Sequence, residues 1–409
     1  MDRARAAGQA DAGRQRVIEL PELVPASWER ADMTDDRERN HTQRIRVLAV
    51  DSLDELARFE SPWNGLVARC RTATPMSTFA WLYSYFQHFV KPQDSWVCLL
   101  ALRDDALVGV LPLVRSKDRA ISLPNNPHAI SVDAVFEPVV EQEVYQALLD
   151  AARIQGDRPS AIVFHRIRED SPTLSLATRG LLRYSELAEQ GAYLPVPDDF
   201  EEYRSLLSRN FRNNLNKAAN KLKRMSDVEI SILSGDAADP ELLPRFAAVE
   251  AASWKGETET AIQCSPVLVN FYGDLVKYLR RAGWLEWQFL EAEGRPIAAN
   301  LCIRLRRSLF VWKLGYDAEY SRCSPGSLLL EHVVRQASVD GSIDEIDLMT
   351  NQPWYNNWEM VWRPYLDFTA YWKNSLSGTA AYCGAQLKQG LRRLPLLRRI
   401  KRSLTGGGD

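Results

Sequence analysis

The chain has 409 residues, more than one ordinary hydrophobic core organises and enough for two or three domains. A composition 45% hydrophobic and 25% charged, with a formal net charge of −2, marks a globular protein with no overall pull toward nucleic acid. Six scattered cysteines without CxxC spacing and five dispersed histidines argue against a disulfide framework or a metal centre, and no apolar run nears the ~20 residues of a membrane span.

Residues 1–42 are rich in Arg, Asp, Glu, Gln and Ala with little periodicity and read as a mostly disordered lead-in. They lack the apolar stretch of a signal peptide, so the expected location is the cytoplasm. A strand is expected at 43–50, then helices at about 52–71 and 78–90. A hairpin follows in WVCLLALRDDALVGVLPLVRS, turning at Asp104–Asp105. Short strands near 119–123 and 131–136, a helix at about 141–155, a strand in SAIVFHRI, a helix at about 172–186 and a strand in AYLPV complete the first half.

The second half opens with the polar helix DDFEEYRSLLSRNFRNNLNKAANKLKRM. A strand at 228–233 leads to helices at about 239–254 and 266–282, and a hairpin then turns at Glu293–Gly294. A third strand, SLFVWKLGY, precedes a helix at about 325–339, a strand in IDEIDLM, a short helix at 354–361 and a strand in YLDFTAYW. Each half thus reads strand, helix, helix, three strands, helix, strand, helix, strand. The expected fold class is α+β: two tandem copies, 43–196 and 197–374, each a mostly antiparallel mixed sheet flanked by helices. A basic tail, 375–409, carries Leu391, Leu394, Leu397 and Ile400 at helical spacing; it either lies on an anionic membrane surface, the inner membrane here, or docks on the domain.

Several stretches carry a family likeness: TFAWLYSYF (78–86), VGVLPLV (108–114), SRNFRNNLNKA (208–218), VEAASWKG (249–256), LGYDAEYSRCSPGSLLLEH (314–332) and DLMTNQPWYNNW (347–358). With the element order, they resemble tandem GCN5-related N-acetyltransferases (GNAT), and in particular the CelD-like acetyltransferases of bacterial cellulose and exopolysaccharide systems. The Arg-rich helix is similar also in the Fem-type peptidyltransferases, which use charged transfer RNA.

That resemblance implies acetyl-coenzyme A or another acyl-coenzyme A as donor, with its pyrophosphate at the start of the helix after the fourth strand. General physics agrees, since first-turn amides lack intrahelical partners and the dipole's positive end faces the ligand. The expected contacts are Arg322, Ser324 as cap, Gly326 and Ser327, with Pro325 in the first turn. Pro325 stands where the family's first pyrophosphate glycine belongs, and a plain helix cap with no ligand is the competing reading.

Acyl transfer needs a base for the nucleophile and a proton donor for the leaving thiolate. The resemblance gives the donor role to Tyr355, which otherwise packs beside Trp354. Asp347, ending a strand at the expected sheet opening, and Glu250, placed four residues before Trp254 on one helical face, are the candidate bases, each with a local ion-pairing role as the alternative. Trp254 and Lys255 are expected to face the acceptor. Trp354, Trp358 and Trp362 share a face if the helix persists, as core or as a sugar platform. The basic side chains from Arg204 to Arg224 lack the interleaved aromatics of a single-strand binder, so nucleic acid is not the expected partner.

The expected function is acyl-coenzyme A-dependent N- or O-acyl transfer to a small molecule or glycan: a sugar, a lipid-linked sugar or a polysaccharide. The alternatives are a Fem-type aminoacyl transfer and a non-catalytic accessory role in an exopolysaccharide machine.

Overall fold

The computed structural model describes residues 16–18, 45–115, 120–138, 141–155, 159–176, 181–258 and 260–393. The tail beyond 393, with Leu394, Leu397 and Ile400, lies outside these residues, as does most of the lead-in.

In the first half the elements are β1 (Arg16–Ile18), β2 (Arg46–Val50), α1 (Leu53–Leu56), α2 (Glu60–Arg69), α3 (Phe79–His88), β3 (Ser95–Arg103) and β4 (Ala106–Arg115). They continue as β5 (Ala120–Ser122), β6 (Val135–Phe136), α4 (Glu141–Arg153), β7 (Ala161–Arg168), α5 (Pro172–Leu176) and β8 (Leu181–Pro195). The second half has α6 (Phe200–Leu206), α7 (Arg209–Met225), β9 (Val228–Ser234), α8 (Leu243–Ala251), α9 (Trp254–Glu257), α10 (Pro266–Arg281), β10 (Leu285–Ala292) and β11 (Arg295–Leu305). It ends with β12 (Ser308–Tyr316), α11 (Pro325–Asp340), β13 (Glu345–Asp347), β14 (Val361–Trp372) and α12 (Leu376–Arg393).

The class is α+β, with the two halves built alike. One mixed sheet runs β1-β2-β3-β4-β5-β7-β14-β8-β13-β12-β11-β10-β9, with β6 beside β4. Its middle shows what element order alone does not: the halves exchange their last strands. β14 pairs antiparallel with β7 of the first half, β8 pairs antiparallel with β13 of the second, and the two exchanged strands pair with each other from Val361↔Tyr193 to Trp372↔Leu181. The parallel pairs β5–β7 and β12–β13 flank this centre symmetrically.

The exchange explains one departure from expectation. The expected helix at 172–186 stops at Leu176, because Leu181–Glu186 must run as strand to accompany the whole of β14. A second departure is β1, a three-residue strand inside the stretch read as lead-in, which pairs with β2 through Val17↔Leu48. The hairpin turns fall where expected, with left-handed Asp104 and Asp105 (φ 49° and 63°) and Glu293 and Gly294 (φ 50° and 73°).

Helix packing ties the halves together on one face. Thr78 caps α3 by accepting from the Trp81 amide, and the apolar stripe Trp81, Leu82, Tyr85 is buried. Phe271 of α10 meets Trp81 and Phe89 edge-on, at 6.3 and 4.9 Å between ring centres, so one core spans both halves. A second core lies under β9–β13, beneath α6, α7 and α11.

Candidate active site

The site follows from how β12 and β13 part. They pair in parallel only over Ser308–Phe310 and Glu345–Asp347, and β12 then runs on to Tyr316 without a neighbour on that side. A bulge at Trp312 sharpens the divergence: Leu301 opposes Lys313 while Cys302 opposes Val311. The freed Trp312 indole donates to the His128 carbonyl of the first half at 3.2 Å. Two cavities open on either side of this gap and share Val311, Leu314, Gly315, Tyr316, Leu348 and Trp354 as walls.

The first cavity, about 240 Å³, is closed by the start of α11. Of the expected cofactor contacts, Ser324, Gly326 and Ser327 line it and Arg322, exposed, does not. Ser324 does not cap with its side chain; its backbone is left-handed (φ 44°), and its carbonyl accepts the Ser327 and Leu328 amides at 3.0 and 3.1 Å. Pro325 has no amide, which leaves the Gly326 N–H as the first-turn donor without a main-chain acceptor. A Cβ at Gly326 would meet nothing within 4 Å, so a phosphate can reach this amide. The open Gly326 amide at a helix start has the chemistry of an anion site, with one glycine where the pattern of the resembled family has two.

The second cavity, about 470 Å³, draws walls from both halves: Pro127, His128 and Ile130 from the first, and Lys255, Tyr272, Lys313, Thr350 and Tyr355 from the second. Tyr355, buried on the one-turn 3-10 helix Pro353–Asn357, has its hydroxyl 3.2 Å from Thr350 Oγ1 and its ring against Trp354. Burial pushes the Tyr355 phenol up to about 12, so it is a proton donor at neutral pH. Gly315 belongs to both cavities; a Cβ there would sit 2.9 Å from Glu250 Cα, so only glycine lets α8 lie this close to β12.

Glu250, fully buried, stands behind the wall. Its Oε1 takes Lys313 Nζ at 2.7 Å and Lys255 Nζ at 3.2 Å, and its Oε2 the Ile262 amide at 2.9 Å. Burial alone would raise this carboxyl, but Lys313 and Lys255 outweigh it and hold it below the usual carboxylate range. So paired, Glu250 is a poor base and an effective anchor for two lysines. Burial pushes the Lys313 ammonium down, with Glu250 opposing. Burial and then Lys313 depress His128 to about 4, which leaves a neutral imidazole in the cavity wall.

Other expectations meet a different geometry. Glu250 and Trp254 do not share a helix, because α8 ends at Ala251 and Trp254 opens the separate α9. Asp347 lines neither cavity: Arg363 Nη1 binds its Oδ2 at 2.6 Å, the Met349 amide its Oδ1 at 2.7 Å, and burial lifts the carboxyl to about 6. Trp354, Trp358 and Trp362 share no helix either, since the turn ends at Asn357 and Trp362 lies in β14. Trp358 is core, edge-on to Phe211 at 5.1 Å. The expected single Arg-rich helix is two, α6 and α7, broken at Leu207 and restarted by the Ser208 cap; Arg204 of α6 binds Glu331 at 2.7 Å, whereas Arg209, Lys217, Lys221, Lys223 and Arg224 of α7 are exposed. His332 lies in a separate surface groove beside Leu328 and Arg335.

Among the described residues no group of His, Cys, Asp and Glu is placed to hold a metal, and no helix is long and apolar enough to cross a membrane. Lys313 was missed by sequence reasoning, and its signal was a lone lysine inside the apolar strand SLFVWKLGY. His128 and Tyr272 carried none, because their meeting with Lys313 depends on how the two halves pack.

Residues 209–357 match the family model described as an acetyltransferase (GNAT) domain. No curated protein matches the chain at a significant level. The fold is similar to the crystal structure of FemX, at 13% identity and TM-score 0.54 over 76% of this chain and 95% of that one. It is also similar to the C-terminal domain (DUF2156) of a candidate lysylphosphatidylglycerol synthetase from Agrobacterium fabrum, at 11% identity and TM-score 0.51, covering 81% and 96% of the two chains. A conserved protein of unknown function from Bacteroides thetaiotaomicron gives TM-score 0.50 at 10% identity, covering 77% and 97%. At these identities the likeness is one of fold.

Proposed function

We propose that the chain is an acyl-coenzyme A-dependent acyltransferase whose donor and acceptor approach from opposite sides of the gap between β12 and β13. The observation that carries this reading is the pair of cavities sharing one wall, with the open Gly326 amide in the first and the protonated Tyr355 in the second. The match of residues 209–357 to an acetyltransferase (GNAT) domain supports it. The acceptor's nitrogen or oxygen attacks the thioester carbonyl, the C–S bond breaks, and Tyr355 gives its proton to the departing thiolate. The acceptor's own proton leaves to water.

The finer proposal keeps the resemblance read from the sequence: the acceptor is a sugar, free, lipid-linked or polymeric, of cell-envelope or exopolysaccharide synthesis, in the cytoplasm or at the inner membrane. The test is thiol release from acetyl-coenzyme A with a panel of amino sugars and glycans, using wild type and Tyr355→Phe. Acceptor-dependent release lost in the variant supports the reading; equal release from both refutes the role of Tyr355. A second reading keeps the Fem-type resemblance read from the sequence, with charged transfer RNA as donor, and the similarity of fold to FemX supports it. Salt-sensitive transfer RNA binding with no coenzyme A binding would establish that reading instead.

A further inference from the structure

We infer that the acceptor carries a carboxylate, seated on Lys313 and Lys255 against Tyr272 in the second, acceptor-side cavity. This inference deepens the acyltransferase reading and rests on it for the word acceptor. Its physical ground is a count of hydrogen-bond donors.

Lys313, with its side chain 8% exposed, has three N–H bonds and gives one to Glu250. Its ammonium also sits over the Tyr272 ring, 5.0 Å from the centre. Lys255 gives one N–H to Glu250 and one to the Leu314 carbonyl at 2.7 Å. Tyr272 is fully buried, lines the cavity, and among the described residues its hydroxyl has no partner. Two donors of Lys313, one of Lys255 and the Tyr272 hydroxyl are therefore unspent.

The one carboxylate facing the two lysines is already engaged. Glu250 takes both lysines and the Ile262 amide. Among the described residues no carboxylate lines the cavity, and His128 is neutral. One buried and one half-buried lysine facing a single buried carboxylate leave an excess of positive charge at the wall, and an orphaned phenol beside them is costly. A monoanion with two oxygens answers all three features: it balances the charge, accepts from both ammoniums and takes the Tyr272 hydroxyl. The cavity volume, about 470 Å³, admits a sugar-sized or dipeptide-sized group.

A carboxylate can come from a uronic sugar or from a peptide, so the experiment carries both. Isothermal titration of the full chain compares glucuronate with glucose, and N-acetylglycine with N-acetylglycinamide. At least one carboxylate is expected to bind tenfold or more tightly than its neutral partner, and the favoured arm names the source. Lys313→Met should erase the preference and the exposed-surface control Lys217→Met should keep it. Tyr272→Phe, which removes only the orphaned hydroxyl, should weaken carboxylate binding about threefold or more and decides the matter should Lys313→Met fail to fold. No preference in either arm, or a preference unchanged in the variants, overturns the inference. Coenzyme A is titrated in parallel: a protein that binds it yet shows no carboxylate preference rejects this inference alone, and one with the preference but no coenzyme A binding rejects the donor reading alone.

Discussion

Replacing Glu250 by Gln keeps the shape of the buried cluster and removes its negative charge. Lys313 is then an almost fully buried ammonium without an anion, and losing one member of such a pair costs about 3–5 kcal/mol. The cost has a ceiling, because Lys313 can shed its proton: from an ordinary lysine value of 10.5 down to pH 7 this takes about 3.5 pH units at ~1.36 kcal/mol each, or roughly 5 kcal/mol. Urea denaturation of wild type, Glu250→Gln, Lys313→Met and the double variant forms a cycle. The double variant should be more stable than the sum of the single losses by about 1–3 kcal/mol, since Met removes the stranded cation. The variant's deficit should also shrink as pH rises from 7 to 9. There the unfolded chain still holds the Lys313 proton that the folded variant has lost, so folding gains with pH. Additivity within about 0.5 kcal/mol, with a deficit independent of pH, would refute the coupled cluster and the charge count built on it.

Tyr355→Phe should lower kcat by about 10²–10⁴-fold while thermal stability barely moves, because the hydroxyl makes one hydrogen bond, to Thr350, worth about 0.5–1.5 kcal/mol. Gly315→Val should destabilise by about 1–3 kcal/mol and impair both donor and acceptor binding, as its Cβ would push α8 off β12; unchanged titrations would contradict the shared wall. An NMR titration should place the His128 imidazole near 4, and Lys313→Met should raise it without restoring 6.5, because burial remains; a value of 6.5 in both proteins would contradict the packing of the two halves around this cavity. For the same group the folded value lies below the unfolded one, so its contribution to stability is present above pH 6.5 and is lost as pH falls toward 4.

The architecture was readable from periodicity and turn chemistry. Asp104–Asp105 and Glu293–Gly294 announced their hairpins, and the repeated element order announced two like halves. Strand exchange was not readable, because β8 and β14 look alike as segments and only pairing across the pseudo-symmetric centre says which sheet each completes. It also hid the strand Leu181–Glu186 behind a helix-like pattern: tertiary pairing overrode local preference there.

The site was half legible for a related reason. The Ser324-Pro325-Gly326 stretch and Tyr355 are local features, and the structure brings both to the gap between β12 and β13. Asp347 stands out in the sequence for ending a strand at the expected opening and Glu250 for its spacing to Trp254, but what they do depends on Arg363, Lys313 and Lys255, partners set by registers and helix breaks that no spacing rule reveals. His128 enters from the other half across its bonded neighbour Trp312.

The claim on which the rest depends is that an acyl-coenzyme A enters beside the first turn of α11. Isothermal titration of acetyl-coenzyme A into wild type and Gly326→Asp tests it directly, since Asp places a side chain and a negative charge in the open space where the pyrophosphate would lie. The account predicts saturable binding to wild type and at least tenfold weaker binding to the variant. Equal affinity in the two proteins, or none in wild type, would contradict it.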